Sequence, residues 1–229
     1  MRPRFAASLL AGAAFCIGTA AGAAPFAVQL GLDRLVLDTP QGFADAAAFG
    51  SPRLTEIAET HASASNRVLV FGITDADARL FSIGDALELR RYVLAATPRA
   101  TERTRTSAAE FATLLADTTR ELGPLPPATQ PQDDYTKYLL GKQAGQSVLL
   151  AELQRNPRSM SILQGIMAPR PEGRENLPPV FRLSTTSLAL IGGKPLYISV
   201  FSAYDGPADL AWIRAMTARW IEDLQRLNR

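Results

Sequence analysis

The chain has 229 residues, of which 47% are hydrophobic, with a formal net charge of +2 and one cysteine, Cys16. This near balance of charge gives no electrostatic reason to expect a nucleic acid or an anionic lipid surface as a partner. A single cysteine excludes an intramolecular disulfide framework, so the stability of the fold must come from a hydrophobic core.

The N-terminal segment has the three-part layout of a secretory signal. A positive start at Arg2 and Arg4 is followed by an apolar run over residues 5–18 and by small residues at 21–24. This layout predicts export to the periplasm through a cleaved signal peptide over residues 1–23.

The cleavage is predicted between Ala23 and Ala24, since a cut one residue later would leave Pro25 directly behind it. Removal of the signal takes away two arginines and no acid, which leaves the mature chain formally neutral. It also removes Cys16. Residues 24–229 are therefore expected to form a single globular, cysteine-free α/β domain.

Two alternatives to cleavage remain for the apolar run. An uncleaved anchor would need about 20 strongly apolar residues, and this run is shorter and rich in Ala and Gly. Lipid attachment would need small residues directly before Cys16, where Phe15 stands. We therefore expect no stable membrane anchor after signal cleavage.

Hydrophobic periodicity and turn chemistry predict strands and helices that alternate along the chain. The predicted strands cover residues 32–38, 66–74, 86–97 and 158–167, and the predicted helices cover 51–62, 107–122 and 133–154. Helix 107–122 begins with Ser107 and Glu110, which match a reciprocal capping box. Proline-rich loops are expected over 123–132 and 168–179.

The end of the chain has the strongest pattern. Two strands within 180–205 flank Gly192 and Gly193, a dipeptide typical of a hairpin turn. Both faces of the second strand are apolar, so we expect it to be covered on both sides. An amphipathic helix is predicted over 207–227.

The fold class predicted from these elements is α+β. We expect one domain with a mainly antiparallel sheet and helices packed on it, an α/β/α sandwich that ends in a β-hairpin and a long amphipathic helix. The order of elements, with the ending "GGKPLYISVFSAY…ADLAWIRAMTARWIEDL", resembles the PsbP/Mog1-like α/β/α fold of exported bacterial proteins. That resemblance implies an architecture and an accessory or binding role, and it transfers no functional residues.

No catalytic signature is present in the sequence. His61 is the only histidine, there is no G-x-S-x-G elbow, and the spacing in "EIAETH" does not match a zinc motif. His61 falls on the apolar stripe of helix 51–62, which indicates a histidine at the edge of the core. Asp75 and Asp77, and likewise Asp133 and Asp134, are interpreted as solvated positions.

Three arginines precede the helix at 107–122. Arg99, Arg103 and Arg105 could form a small phosphate or carboxylate site, because arginines and helix N-termini both suit anions. The alternative is a solvated loop.

The sequence therefore leaves three hypotheses of function. The first is an exported, soluble, non-enzymatic accessory or binding protein with a protein or small-molecule partner of unknown identity and no cofactor. The second is a hydrolase with a non-standard site built on carboxylates or His61. The third is a carrier of an apolar small molecule held between sheet and helix.

Overall fold

The structure is a computed structural model that describes residues 24–125, 132–169 and 178–229. Its class is α+β, as predicted from the sequence. One seven-stranded antiparallel sheet carries the helices, and a separate two-stranded sheet lies beside it.

The described chain begins with strands and ends with a long helix. The strands are β1 (Phe26–Leu30), β2 (Asp33–Leu37), β3 (Phe43–Asp45), β4 (Asn66–Thr74), β5 (Arg91–Pro98), β6 (Ser147–Asn156), β7 (Ser159–Met167), β8 (Phe181–Ile191) and β9 (Lys194–Tyr204). The helices are α1 (Pro52–His61), α2 (Asp75–Ser82), α3 (Ala108–Leu122), α4 (Gln132–Leu140) and α5 (Pro207–Leu227), and a 3-10 turn covers Ala46–Phe49.

The large sheet has the order β3-β4-β5-β9-β8-β7-β6. The β8-β9 hairpin contributes the central strand, β9, and the turn between these strands consists of Gly192 and Gly193, with φ of 56° and 83°. Both values lie in the left-handed region that glycine adopts without steric cost, which explains the tight two-residue turn.

One face of the sheet is covered by α5 and α4. Apolar residues of α5, among them Ile213 and Trp220, pack on fully buried Ile198 and Val200 of β9. Helix α4 approaches β7 closely because that strand has Gly165, where a Cβ would lie 2.8–2.9 Å from leucine methyl groups. This face holds the main core.

The opposite face is covered in two separate places. Helix α1 packs Leu54 and Ala58 on β4 and β5, and helix α3 packs Phe111 and Leu115 on β7 and β8. In the described part of the chain, the middle of β9 lies between these two places, and its residue Phe201 is only partly buried. Tyr197 packs against the cluster that contains α3, and Phe201 against the cluster that contains α1. The expectation that β9 is covered on both sides is therefore corrected to full coverage by α5 on one side and partial coverage on the other.

The helix predicted over 133–154 is wrong in its second half. Helix α4 ends at Leu140, and β6 begins at Ser147. Residues Val148 and Leu150 are buried at strand spacing, so the apolar residues that suggest a helix belong to a strand.

Two further expectations are corrected near β4. The strand predicted over 86–97 begins only at Arg91, and the residues of "DADAR", directly after β4, begin helix α2. Asp77 is buried and not solvated: its Oδ2 accepts a hydrogen bond from the Thr74 hydroxyl at 2.8 Å, and its Oδ1 accepts one from the Glu88 amide at 3.1 Å.

Some expectations fall on residues outside the described ranges. They are the signal peptide over 1–23 with Cys16, and parts of the proline-rich loops, residues 126–131 and 170–177. The side chains of Asp133 and Asp134 are likewise outside the description. Among the described helices, none is long and apolar enough to cross a membrane.

Candidate functional site

A cavity of about 500 Å³ lies on the sheet face between the areas covered by α1 and α3. We call it the sheet-face cavity. Its floor is built by side chains of four adjacent strands, β5, β9, β8 and β7, and its rim by the end of α1 and the ends of β6 and β7. This volume lies within the range of about 300–1,000 Å³ typical of small-molecule sites.

The antiparallel register arranges the floor in rows across the strands. In one row, Tyr92 pairs with Phe201, Phe201 with Ser184, and Ser184 with Gln164. Directly opposite residues of an antiparallel pair point to the same face, so these four side chains lie side by side. The row changes from aromatic at β5 and β9 to polar at β8 and β7.

The next row also changes from apolar at β5 to polar at β8. Leu94 pairs with Ser199, and Ser199 pairs with Thr186. The Thr186 hydroxyl lies 3.5 Å from Gln164 Oε1, which links the two rows on the polar side. The floor therefore has an apolar half and a hydroxyl- and amide-rich half.

An aromatic cluster forms the apolar half. The rings of Tyr92 and Phe201 are stacked with centroids 4.3 Å apart, and the His61 ring is tilted against them at 4.8 and 5.7 Å. His61 is the last residue of α1, whose Leu54 and Ala58 fix the helix on the sheet. The predicted location of His61 at the edge of the core is therefore also a location on the rim of a cavity.

The environment shifts the pKa values of both titratable groups in this cluster. Burial lowers the pKa of His61 below its usual 6.5, and the charge of Arg182 lowers it further. Burial raises the pKa of Tyr92 to about 12, against a smaller opposite effect of Arg182. Both groups are therefore neutral at pH 7.

Arg182 supplies the positive charge of the cavity. It lies on β8 opposite Ile166 of β7 and Ala203 of β9, two residues from Ser184 and therefore on the same face. A smaller adjoining cavity of about 150 Å³ shares Arg182 and also contains Glu88. Among the described residues that line the sheet-face cavity, none is an aspartate or a glutamate.

The geometry around His61 does not form a catalytic triad in the described chain. Its Nδ1 lies 3.3 Å from the Tyr92 hydroxyl, and within the described residues no serine or carboxylate hydrogen-bonds the imidazole. The described residues also contain no cluster of three His, Cys, Asp or Glu side chains that could hold a metal ion. The described lining offers a bound molecule aromatic rings, hydroxyls, an amide and a guanidinium.

The three arginines predicted as an anion site lie elsewhere. Arg105 forms an ion pair with Asp33 at 2.9 Å, and Arg99 lines a second cavity of about 220 Å³ beside α1. Arg103 is exposed, and its backbone packs against Gly31. The anion site at these residues stays a prediction.

The N-terminus of helix α3, which follows these arginines in the sequence, is capped by neighbouring side chains of the chain itself. Ser107 and Glu110 form the predicted capping box, so an acidic side chain already lies at the N-terminus of α3. The backbone amide of Ser107 donates to Glu110 and holds the pKa of Glu110 below its usual value.

Sequence reasoning misses most of the sheet-face cavity. Of its lining, the sequence singles out His61, and it indicates that Tyr197 and Phe201 share a face. A signal is present in β8, where positions 182, 184 and 186 are polar and the alternate positions are buried. This alternation can be read from the sequence. The proximity of these polar side chains to Tyr92, however, depends on the order of the strands in the sheet.

No protein-family model matches this chain, and no curated protein matches it either.

Proposed function

We propose that this protein is an exported, non-enzymatic binding protein that holds a small ring-containing molecule in the sheet-face cavity. The single observation that carries the proposal is the cavity itself. It is a concave site of ligand size whose floor combines stacked aromatic rings with a few polar groups. Such a combination is typical of small-molecule sites, where apolar area provides affinity and polar groups provide orientation.

The location of the cavity refines the hypothesis of an apolar carrier. The ligand would lie on the sheet between α1 and α3, and not under the long helix α5, whose side of the sheet is filled by core side chains. Export to the periplasm and the PsbP/Mog1-like resemblance remain part of this proposal. The signal layout of residues 1–23 supports the first, and the order of the last hairpin and helix supports the second.

Ligand binding is tested first with N-phenyl-1-naphthylamine, a neutral probe whose fluorescence rises in an apolar site. We expect saturable binding to the purified protein. Ser184→Phe should weaken that binding at least about tenfold, because the new ring would fill the floor between Phe201 and Gln164. Thr186→Leu is a second, smaller filling variant.

The matched control is Ala215→Phe, which adds the same ring at an exposed position of α5 on the opposite side of the sheet. It should bind the probe like the unmodified protein. The proposal is rejected if the protein does not bind the probe, or if both filling variants keep their cooperative thermal unfolding and bind it unchanged.

A further inference from the structure

The charge distribution of the sheet-face cavity indicates more about its ligand than size and apolarity do. This inference rests on the proposed function, since it concerns what the same cavity binds. The described lining contains one side chain that is charged at neutral pH, Arg182, and no acidic one.

Arg182 lies next to both the aromatic and the polar parts of the floor. It extends from β8, where Ser184 lies on the same face, and its charge is close enough to His61 and Tyr92 to have a lowering effect, smaller than that of burial, on the pKa values of both. It also lines the adjoining smaller cavity together with Tyr92 and Phe201. Because the rows run perpendicular to the strands, a ligand whose ring lies on Tyr92 and Phe201 would have Ser184 and Gln164 beside it and the Arg182 guanidinium at its edge.

The polar groups of the floor include the donors that an oxyanion requires. A guanidinium presents N–H groups in a planar fork that matches two carboxylate oxygens. The hydroxyl of Ser184 and the amide of Gln164 lie beside it on the same face. Among the described residues, Arg182 forms no ion pair with a carboxylate.

We propose that the ligand of the sheet-face cavity is a ring-containing carboxylate, bound with its ring on the Tyr92–Phe201 side and its carboxylate on Arg182. The neighbouring charged groups are consistent with this polarity. His61 faces the rings and is neutral at pH 7. Glu88 and Arg90 line the adjoining smaller cavity together with Arg182, and among the described residues Glu88 forms no ion pair with Arg182. The anion would therefore be attracted to Arg182 and not to His61.

The test compares two probes of nearly the same shape, the anionic 2-naphthoate and the neutral 2-naphthamide, by isothermal titration calorimetry at neutral pH. We expect the unmodified protein to bind the naphthoate about tenfold more tightly, the size of one hydrogen-bonded charge interaction. Raising NaCl from about 0.05 M to about 1 M should reduce this preference and leave the affinity for the naphthamide unchanged.

Arg182→Gln should abolish the preference while the amide binds as before, and Arg182→Lys should retain part of it, because it keeps the charge without the fork. The matched control is Arg219→Gln, which removes an exposed arginine from α5 on the other side of the sheet and should leave the preference intact.

The outcomes separate the two proposals. Binding of both probes with equal affinity, or a preference that persists in Arg182→Gln, overturns the carboxylate assignment and leaves the binding function standing. If the unmodified protein binds none of the three probes, that is, neither naphthyl compound and not the neutral fluorescent probe, both proposals are overturned.

Discussion

Lys194 has a role that its location next to a hairpin turn does not suggest. Its side chain is fully buried, and its ammonium lies 2.9 Å from Asp33 Oδ2 and 3.1 and 3.0 Å from the carbonyl oxygens of Glu102 and Thr104. The hydrogen bond from Lys194 holds the pKa of Asp33 below its usual value. One side chain thus joins the β8-β9 turn, the β1-β2 hairpin and the segment before α3.

We predict that Lys194→Met lowers the free energy of unfolding by about 2 kcal/mol, because it removes the fully buried partner of the Asp33 ion pair and leaves two partly buried carbonyl oxygens without their donor. Urea denaturation measures this loss. Arg105→Met is the matched control. Arg105 binds the same Asp33, but its side chain is 69% exposed, and such a pair contributes at most about 1 kcal/mol. Equal losses in the two variants would contradict the buried role of Lys194.

Single elements differ in how well the sequence predicts them. The predicted bounds of helix α5 agree with the observed ones, because its apolar stripe runs over the whole helix and Pro207 marks its start. The β8-β9 hairpin follows from its glycine pair. Helix α2 is missed, because a short segment with two aspartates has the composition of a turn. Its start is stabilised by the Thr74 cap and by the hydrogen bonds that the Asp77 carboxylate accepts.

The segment that contains α4 and β6 shows a second reason why a prediction from sequence can be wrong. Its two halves have apolar residues at spacings that fit either a helix or a strand, and Gly141 and Gly145 lie between them. Packing decides the outcome: the start of β6 pairs with the end of β7, for instance Ser147 with Ile166, and no local pattern encodes that partner.

The capping box at α3 gives a prediction for one element. The Ser107 hydroxyl accepts a hydrogen bond from the Glu110 amide at 3.2 Å, and the Glu110 carboxylate accepts one from the Ser107 amide at 2.7 Å. We expect Ser107→Ala to destabilise the protein by about 1 kcal/mol, since one amide of the first turn loses its acceptor. The measurement is the midpoint of urea unfolding.

Ser107→Asp serves as the restoring variant, because aspartate is an equally good cap and should keep nearly full stability. Thr113→Ala, an exposed position in the middle of the same helix, controls for the loss of a hydroxyl. A cost no larger for Ser107→Ala than for Thr113→Ala would mean that the box does not stabilise α3.

At the scale of the molecule, the candidate site is a product of topology. Tyr92 and Phe201 belong to strands distant in the sequence, and they become neighbours only because β9 inserts between β5 and β8. The sequence predicts the class of the fold and one rim residue, His61. It does not predict the rows of the floor, since strand order and register arise from packing of the whole sheet.

The two ends of the described fold are joined. The Asn228 side chain donates to the Val36 carbonyl at 2.7 Å and accepts from the Val36 amide at 2.8 Å, and Trp220 Nε1 donates to the Asp38 carbonyl at 2.9 Å. The β1-β2 hairpin is thereby held on α5. Since β1 begins at Phe26, removal of residues 1–23 would leave every one of these contacts intact.

Export can therefore be tested without disturbing the fold. We predict that protein recovered from the periplasmic fraction of an expressing bacterium begins at Ala24, as measured by intact mass and N-terminal sequencing. Ala23→Leu should cause the precursor to accumulate, because the peptidase requires a small residue before the cut. Ala27→Leu, an exposed position of β1, places the same residue beyond the cut and should be processed normally. A full-length or lipid-modified mass in the membrane fraction of the unmodified protein would instead show that the apolar run is retained, and the sheet-face cavity would then belong to a protein held at the membrane surface.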